Sequence, residues 1–127
     1  MIFGIGVDLA EVDRIRDAIE RPDTGARFRD RIFTPGEQSY CERRKRKYES
    51  YAARFAAKEA TMKALGTGWG RNVGWTEIEV YRPSGGRPEI RLHGKTAEFA
   101  TSLGIRRFAL ALTHTAETAM AEVIAEA

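Results

Sequence analysis

The stretch Arg54-Phe-Ala-Ala-Lys-Glu-Ala-Thr-Met-Lys-Ala-Leu-Gly-Thr-Gly68 predicts the central element of the fold, a long helix. Alanine, leucine, lysine and glutamate favour a helix, and the glycines that follow Leu65 favour its termination. An apolar stripe and a face of small residues run along this helix, so we expect another element to pack closely against it. The stripe comprises Tyr51, Phe55, Met62 and Leu65, and the small face comprises Ala53, Ala57, Ala60 and Ala64.

Besides Arg54, this helix carries three charged residues that each have two interpretations. Glu59 and Lys63 are one turn apart, which suits either a surface ion pair or an acid and an amine at the edge of the core. Lys58 falls within the apolar stripe. A lysine at such a position usually lays its methylenes along the apolar surface and keeps its ammonium in water. The alternative is that both lysines present amines to a phosphate.

A second informative segment, Gly4-Ile-Gly-Val-Asp8, has the pattern of a buried strand that ends in a carboxylate. Asp8 is predicted to cap a helix that runs to about Ile19, with Glu11 as the second acid of a capping box. Asp8 and Glu59 together offer two carboxylates to a hard cation. The glycines of this segment would let the backbone approach a ligand closely. The combination indicates phosphoryl chemistry.

The whole sequence predicts an α+β fold in a single domain over residues 1–127, with an antiparallel sheet of about five strands packed on one long helix and shorter helices. Thr34-Pro-Gly-Glu37 has the residues of a helix start, and the helix that follows reaches Leu65 with a break near 45–49. The other predicted elements are strands at 2–8, 76–81, 89–92, 107–113 and 118–124, and a helix at 95–103.

The composition is that of a globular protein with an acidic partner. Of the 127 residues, 43% are hydrophobic, which is enough to fill a core. The net charge is +3, and the basic residues concentrate in the first half, which favours an acidic ligand or partner. Cys41 is the single cysteine, no apolar run is long enough to span a membrane, and Asp8 follows the N-terminus too soon for a secretory signal. We therefore expect a cytoplasmic protein without membrane association.

Other motifs of phosphate, metal and nucleic-acid sites are incomplete. The basic run Arg43–Lys47 lacks the interleaved aromatic residues of single-strand binders, and a solvated helix face is its commoner role. Gly94-Lys-Thr96 resembles the end of a phosphate loop, but Glu89 stands where the first glycine belongs. His93 and His114 have no partner at zinc spacing. A basic nucleic-acid-binding domain is the alternative from another class, and it predicts affinity without turnover or a need for Mg²⁺.

Two motifs closely resemble holo-[acyl-carrier-protein] synthases, the small stand-alone group of 4′-phosphopantetheinyl transferases. They are Gly4-Ile-Gly-Val-Asp-Leu9 and Phe55-Ala-Ala-Lys-Glu-Ala60, the latter followed by Lys63-Ala-Leu-Gly-Thr-Gly68, and the resemblance covers nearly the whole chain. It implies Mg²⁺-dependent transfer of 4′-phosphopantetheine from coenzyme A to a serine of an apo acyl carrier protein, with release of adenosine 3′,5′-bisphosphate. It further implies a role in fatty-acid or polyketide biosynthesis, a homotrimer with interfacial active sites, and no nucleic-acid partner.

The resemblance also implies roles for single residues of this chain. The two metal carboxylates fall on Asp8 and Glu59 and the catalytic lysine on Lys63, and we count all three as catalytic. The expected contacts with the carrier protein are Arg14, Arg21 and Arg27. The positions expected to bind coenzyme A are Lys45, Arg46, Arg54, Gly66, Gly85, Gly86, Arg87, Pro88 and His114.

The chain departs from the family pattern at two places. Gly85-Gly-Arg-Pro88 replaces the usual Asn-Gly-Lys-Pro and lacks a side-chain amide, and Ala111-Leu-Thr-His114 replaces Ser-x-Ser-His and lacks one hydroxyl. The base that accepts the serine proton is either Glu59 or a water held by the cation, and the sequence favours neither. A carrier-protein-binding module without activity is a third hypothesis, which the presence of all three catalytic residues disfavours.

Overall fold

The computed structural model describes residues 1–84 and 86–127. Its helices are α1 (Val12–Glu20), α2 (Gly25–Ile32), α3 (Pro35–Glu42), α4 (Lys47–Leu65) and α5 (Gly94–Ser102), with a short 3-10 helix at Trp75–Glu77. Its strands are β1 (Ile2–Glu11), β2 (Ile78–Tyr81), β3 (Glu89–Leu92), β4 (Arg107–His114) and β5 (Thr118–Glu126). The mixed α and β elements and the long helix α4 agree with the predicted fold class.

The strands form two antiparallel sheets in the described part of the chain. In one sheet β5 lies between β1 and β4, and in the other β2 pairs with β3. The five expected strands are therefore present, distributed over two sheets instead of one. The pairing of β1 with β5 continues as far as Glu11 and Thr118, which keeps β1 extended well past Asp8.

Asp8 lies in the middle of β1 and caps no helix, so this part of the sequence prediction is wrong. Its partner on β5 is Ala121, and the N-cap of α1 is Glu11, whose side chain makes no capping hydrogen bond. Pairing with β5 holds the backbone extended up to Glu11 and outweighs the local capping signal. Strand alternation instead places Asp8 on the same face of β1 as Gly4 and Gly6.

This face of β1 packs directly on α4. A Cβ at Gly4 would overlap the carbonyl oxygen of Ala64, and a Cβ at Gly6 would overlap that of Ala60. Only glycine permits this approach, so the two glycines serve strand–helix packing and not the predicted contact with a ligand. The small-residue face of the long helix does receive another element, as predicted.

The start of α3 and the break that follows it agree with the sequence prediction. Thr34 Oγ1 accepts a hydrogen bond from Glu37 N at 3.1 Å, and Glu37 Oε1 accepts one from Thr34 N at 2.9 Å, which completes a capping box. The basic residues 43–46 connect α3 with α4 and do not form a continuous helix face. Within residues 1–84 and 86–127, no helix has the apolar length that a membrane crossing needs.

Lys58 is buried, and the expectation that its ammonium reaches water is wrong. Its side chain is 0% exposed, and Nζ lies 2.8 Å from Glu37 Oε1. Nζ also donates to the carbonyl oxygens of Trp75 and Ile78, and Glu37 Oε2 accepts from the N–H of Val80 at 2.7 Å. Burial lowers the pKa of Lys58, and the Glu37 carboxylate opposes that shift. The ion pair joins α3, α4 and β2, and it leaves no donor for a phosphate.

Candidate active site

The strand β1 and the helix α4 bring three of the predicted site residues together. Lys63 Nζ donates to Asp8 Oδ1 at 2.9 Å and to the carbonyl oxygen of Val7 at 3.0 Å. Glu59 lies one turn before Lys63 on α4 and faces the carboxylate of Asp8. Lys63 therefore pairs with Asp8 across the strand–helix contact, and an ion pair of Lys63 with Glu59 is not found among the described residues.

Two carboxylates and one ammonium share this site, so its charges do not balance. Burial, followed by the negative charge of Asp8, raises the pKa of Glu59, and Lys63 acts in the opposite direction. The hydrogen bond to Asp8 raises the pKa of Lys63. The excess of negative charge means that an added cation would be stabilised here.

A carboxylate oxygen without a partner indicates where such a cation would bind. Asp8 Oδ2 is buried and accepts from no N–H or cationic group among the residues that the structure describes, and the Glu59 carboxyl hydrogen-bonds to the Asp8 carboxylate only when it is protonated. A buried polar atom of this kind is unfavourable unless a ligand satisfies it. Asp8 and Glu59 offer the oxygen donors that Mg²⁺ prefers, and Mg²⁺ can take its other ligands from water and substrate phosphate. The donor set therefore fits a magnesium ion that a phosphate substrate helps to hold.

A cavity of about 500 Å³ opens beside these carboxylates. Glu59 and Arg14 line it, together with Phe28 and Phe55, whose ring centroids are 6.5 Å apart. Phe28 could not be predicted from the sequence, because its position beside α4 depends on how α2 packs in three dimensions. The cavity gives Glu59 access to a molecule that approaches between α1 and α2.

Arg21 and Arg27 line a neighbouring groove of about 310 Å³. This groove shares Ala18 and Phe28 with the cavity, so the surface between the two is continuous. Arg14, Arg21 and Arg27 are exposed and form no ion pair within the described ranges. We call these three residues the arginine surface. The structure thus brings the expected carrier contacts to one side of the candidate active site.

A basic pocket of about 480 Å³ lies between the α3–α4 connection and the end of β4, and it is lined by Lys45, Arg46 and His114. His114 Nδ1 lies 2.9 Å from Glu49 Oε1, which fixes the ring against α4. The sequence analysis did not identify Glu49, since nothing near it in the chain indicates a partner on β4. The cations of this pocket suit a phosphate group.

Arg54 does not line the basic pocket. It is 4% exposed, and its Cζ lies 4.0 Å from the centroid of the Tyr40 ring. Arg44 lies over the same ring at 5.2 Å, and Arg82 donates to the Tyr40 hydroxyl at 3.4 Å. Tyr40, which the sequence analysis also missed, therefore connects Arg44 of the basic pocket with the segment that follows β2.

The remaining predicted coenzyme positions lie at two turns. Gly66 ends α4 in the left-handed conformation, with a φ of 83°, which favours glycine. Gly86, Arg87 and Pro88 lie between β2 and β3, and Arg87 is exposed. Gly85 lies outside the described residues. Neither turn lines the basic pocket of this chain, so the structure does not bring all the predicted coenzyme positions together within one chain.

Comparison with known proteins gives a consistent result. The profile of the 4′-phosphopantetheinyl transferase superfamily matches residues 4–113. The holo-[acyl-carrier-protein] synthase of Solibacter usitatus is 56% identical over 126 residues, a match that covers 99% of each chain. The holo-[acyl-carrier-protein] synthase of Koribacter versatilis is 50% identical, with the same coverage.

Solved structures give the same result for the fold. The crystal structure of holo-[acyl-carrier-protein] synthase from Neisseria meningitidis has a TM-score of 0.88 and 33% identity, with 100% of both chains covered. The enzyme of that name from Helicobacter pylori, solved in complex with coenzyme A, has a TM-score of 0.83 and 28% identity. That match covers 96% of this chain and 99% of the Helicobacter chain.

Proposed function

Because the chain belongs to the holo-[acyl-carrier-protein] synthases of the 4′-phosphopantetheinyl transferase superfamily, we propose its reaction in detail. The donor is coenzyme A, and the acceptor is a serine of an apo acyl carrier protein. The group transferred is 4′-phosphopantetheine, the other product is adenosine 3′,5′-bisphosphate, and Mg²⁺ is required. The complex of the Helicobacter pylori relative with coenzyme A supports the choice of donor.

The observation that carries this proposal is the cluster of Asp8, Glu59 and Lys63. It combines a buried carboxylate oxygen without a partner, a second carboxylate with a raised pKa, and an ammonium that is 55% exposed. These are the groups that phosphoryl transfer needs around the reacting phosphate. Asp8 and Glu59 would hold Mg²⁺, which would neutralise charge on that phosphate.

Each residue of the cluster has its own task in the transfer. The serine oxygen forms a bond to the phosphorus that carries the pantetheine arm, and the bond from that phosphorus to the adenosine bisphosphate oxygen breaks. We propose Glu59 as the group that takes the serine proton, a role supported by its place in the lining of the cavity. Lys63 stabilises the charge that grows on the leaving phosphate. Asp8 holds Lys63 in position through the 2.9 Å hydrogen bond.

The two substrates reach the cluster from different sides. Lys45, Arg46 and His114 bind phosphate groups of coenzyme A, a role supported by their convergence in the basic pocket. The arginine surface binds the carrier protein, a role supported by its unpaired charges and its continuity with the cavity beside Glu59. The carrier serine would then enter between α1 and α2.

We further propose that the enzyme is a homotrimer. Alternate residues of β1 point away from α4 and are exposed although they are large and apolar, and Met120 on β5 is exposed as well. The row on β1 consists of Phe3, Ile5, Val7 and Leu9. Such a patch supports burial against another copy. Sedimentation equilibrium should give the mass of a trimer, and a monomer that is fully active at assay concentration would contradict an interfacial active site.

Intact-mass spectrometry of an apo acyl carrier protein tests the proposed reaction. After incubation with the enzyme, coenzyme A and Mg²⁺, the carrier should gain the mass of one phosphopantetheine group. A carrier whose acceptor serine is replaced by alanine should gain nothing, and excess chelator should prevent the gain. Nucleic-acid binding without any mass gain would instead favour the basic binding domain.

A further inference from the structure

Trp69 is an exposed aromatic residue that the proposed reaction does not explain. It lies in the loop that follows α4 and is 59% exposed. The other large exposed apolar side chains of the described residues are Met1, Met120 and members of β1. Trp69 lies on neither β1 nor β5, the two strands that carry the patch assigned to the trimer interface.

Arg31 connects this indole to the arginine surface. Arg31 Cζ lies 5.4 Å from the centroid of the Trp69 ring, within the range of a cation–π interaction. Arg31 also lines the groove that contains Arg21 and Arg27, and it forms no ion pair in the described part of the chain. The indole thus lies at the far end of a positively charged surface whose near end is the cavity beside Glu59.

The loop also ties Trp69 to the helix that carries Lys63. The chain leaves α4 at Gly66, whose N–H donates to the carbonyl oxygen of Lys63 at 3.0 Å. Gly68 and Gly70, on either side of Trp69, have open space where a Cβ would stand. The indole is therefore presented to solvent from a loop that begins one turn after the catalytic lysine, and packing against the core does not account for it.

We propose that Trp69, held by Arg31, is a contact residue for the acyl carrier protein. This inference rests on the proposed function and extends its carrier-binding surface. Carboxylates of the carrier would pair with the arginines, and an apolar side chain of the carrier would pack on the indole. Coenzyme A is the less suitable occupant, because its phosphates match the basic pocket, which Trp69 does not line. Exposed tryptophans at such positions often contribute most to binding.

Fluorescence can report on this contact directly. The chain has two tryptophans, so Trp75→Phe leaves Trp69 as the only indole, and this variant serves as the parent once its activity has been measured. Apo carrier protein without coenzyme A should change the emission of Trp69, with half-saturation near the KM for the carrier. Coenzyme A alone should leave the emission unchanged. A response to coenzyme A and none to the carrier would overturn the proposal.

Steady-state kinetics provide the second readout. Trp69→Ala in the wild-type background should raise KM for the carrier at least about fivefold and change KM for coenzyme A less than about twofold. Tyr81→Ala is a matched control, because it removes another aromatic–arginine stack, with Arg91 Cζ 4.1 Å from the ring centroid, and it should leave KM for the carrier unchanged. An unchanged KM for the carrier in Trp69→Ala would refute the contact. Absence of any holo carrier with the wild-type enzyme would instead refute the proposed function.

Discussion

Lys58 and Lys63 lie on the same helix, and each pairs with a carboxylate, yet their surroundings differ. Lys58 is 0% exposed, lies 2.8 Å from Glu37, and uses its other donors on backbone carbonyl oxygens. Lys63 is 55% exposed and lies 2.9 Å from Asp8, and a second carboxylate, that of Glu59, faces this pair. The Lys58–Glu37 pair is electrically neutral and fully hydrogen-bonded within the fold, and we call it the complete site. The Lys63–Asp8 pair with Glu59 has an excess of negative charge, and we call it the incomplete site.

The comparison separates a structural charge from a functional one. A buried ion pair whose donors and acceptors are all satisfied holds elements together and has nothing to offer a ligand. The unpartnered Asp8 Oδ2 and the raised pKa of Glu59 show the opposite condition, in which bound groups would complete the site. We therefore propose different roles for these two lysines of one helix, because only the Lys58 pair has all its hydrogen-bonding groups satisfied.

The largest expected effect is on the incomplete site. Asp8→Ala and Glu59→Ala should each lower the transfer rate by about a thousandfold or more, because each would remove a proposed oxygen ligand of the cation. Since Asp8 caps no helix, neither change should disturb the fold, and circular dichroism checks this. Full activity of either variant at saturating Mg²⁺, or of the wild type in excess chelator, would contradict the assignment.

Substitutions at the complete site, Glu37 and Lys58, should lower the stability of the fold instead of the transfer rate. Glu37→Ala or Lys58→Ala should each lower the free energy of unfolding by about 3–5 kcal/mol, because either leaves a buried charge without its partner. The double variant Glu37→Ala/Lys58→Ala should lose less than the sum of the two single losses. Urea denaturation measures both quantities. Additive losses would show that the two residues do not act as a pair, and a normal stability of the single variants would show that the pair is unimportant to the fold.

Lys63→Ala should lower activity and leave stability nearly unchanged, whereas Lys58→Ala should lower stability. The stability of Lys63→Ala should stay close to that of the wild type, while kcat should fall by about a hundredfold and KM for coenzyme A should change less. Lys63→Arg should restore little activity, because a planar guanidinium does not replace a compact ammonium. Near-normal turnover of both variants would reduce Lys63 to a surface partner of Asp8.

A smaller effect is expected where charge only guides the carrier protein. Arg14→Glu should raise KM for the carrier several-fold and leave KM for coenzyme A almost unchanged, because surface charges act mainly on association. The kcat/KM of the wild type for the carrier should fall as NaCl rises, and that of the variant should fall less. Equal losses for both substrates would move Arg14 into the coenzyme site or the fold.

Local patterns predicted much of this structure. The capping box of Thr34 and Glu37 and the small-residue face of α4 depend on neighbours in the chain, and both are present. The burial of Lys58 was not predictable in the same way, because its partner Glu37 lies on another helix. Asp8 was misplaced because a helix cap and a mid-strand carboxylate give the same local signal, and pairing with β5 decides between them.

The residues of the candidate active site were also predictable only where a local motif carries them. Motifs predicted that Asp8, Glu59 and Lys63 belong together, and β1 and α4 do bring them together. Glu49 and Tyr40 were missed because the contacts of Glu49 with His114 and of Tyr40 with Arg54 and Arg82 join segments that are distant in the sequence. Residues that a motif carries can be found from the sequence, whereas residues that act through packing need the fold.

Thermal unfolding with and without Mg²⁺ is the most direct measurement of the difference between the two sites. The raised pKa of Glu59 means that its contribution to stability is present below its ordinary pKa and is lost as the pH rises through the raised value. At neutral pH without Mg²⁺, Glu59→Gln should therefore have a higher Tm than the wild type.

Addition of Mg²⁺ to the coenzyme A complex should then raise the Tm of the wild type and leave that of Glu59→Gln nearly unchanged. The double variant Glu37→Gln/Lys58→Met should start from a lower Tm and still respond to Mg²⁺ as the wild type does. A wild-type Tm that does not change on addition of Mg²⁺ would contradict a cation site formed by Asp8 and Glu59. An equal rise in the Tm of Glu59→Gln and of the wild type would contradict it as well.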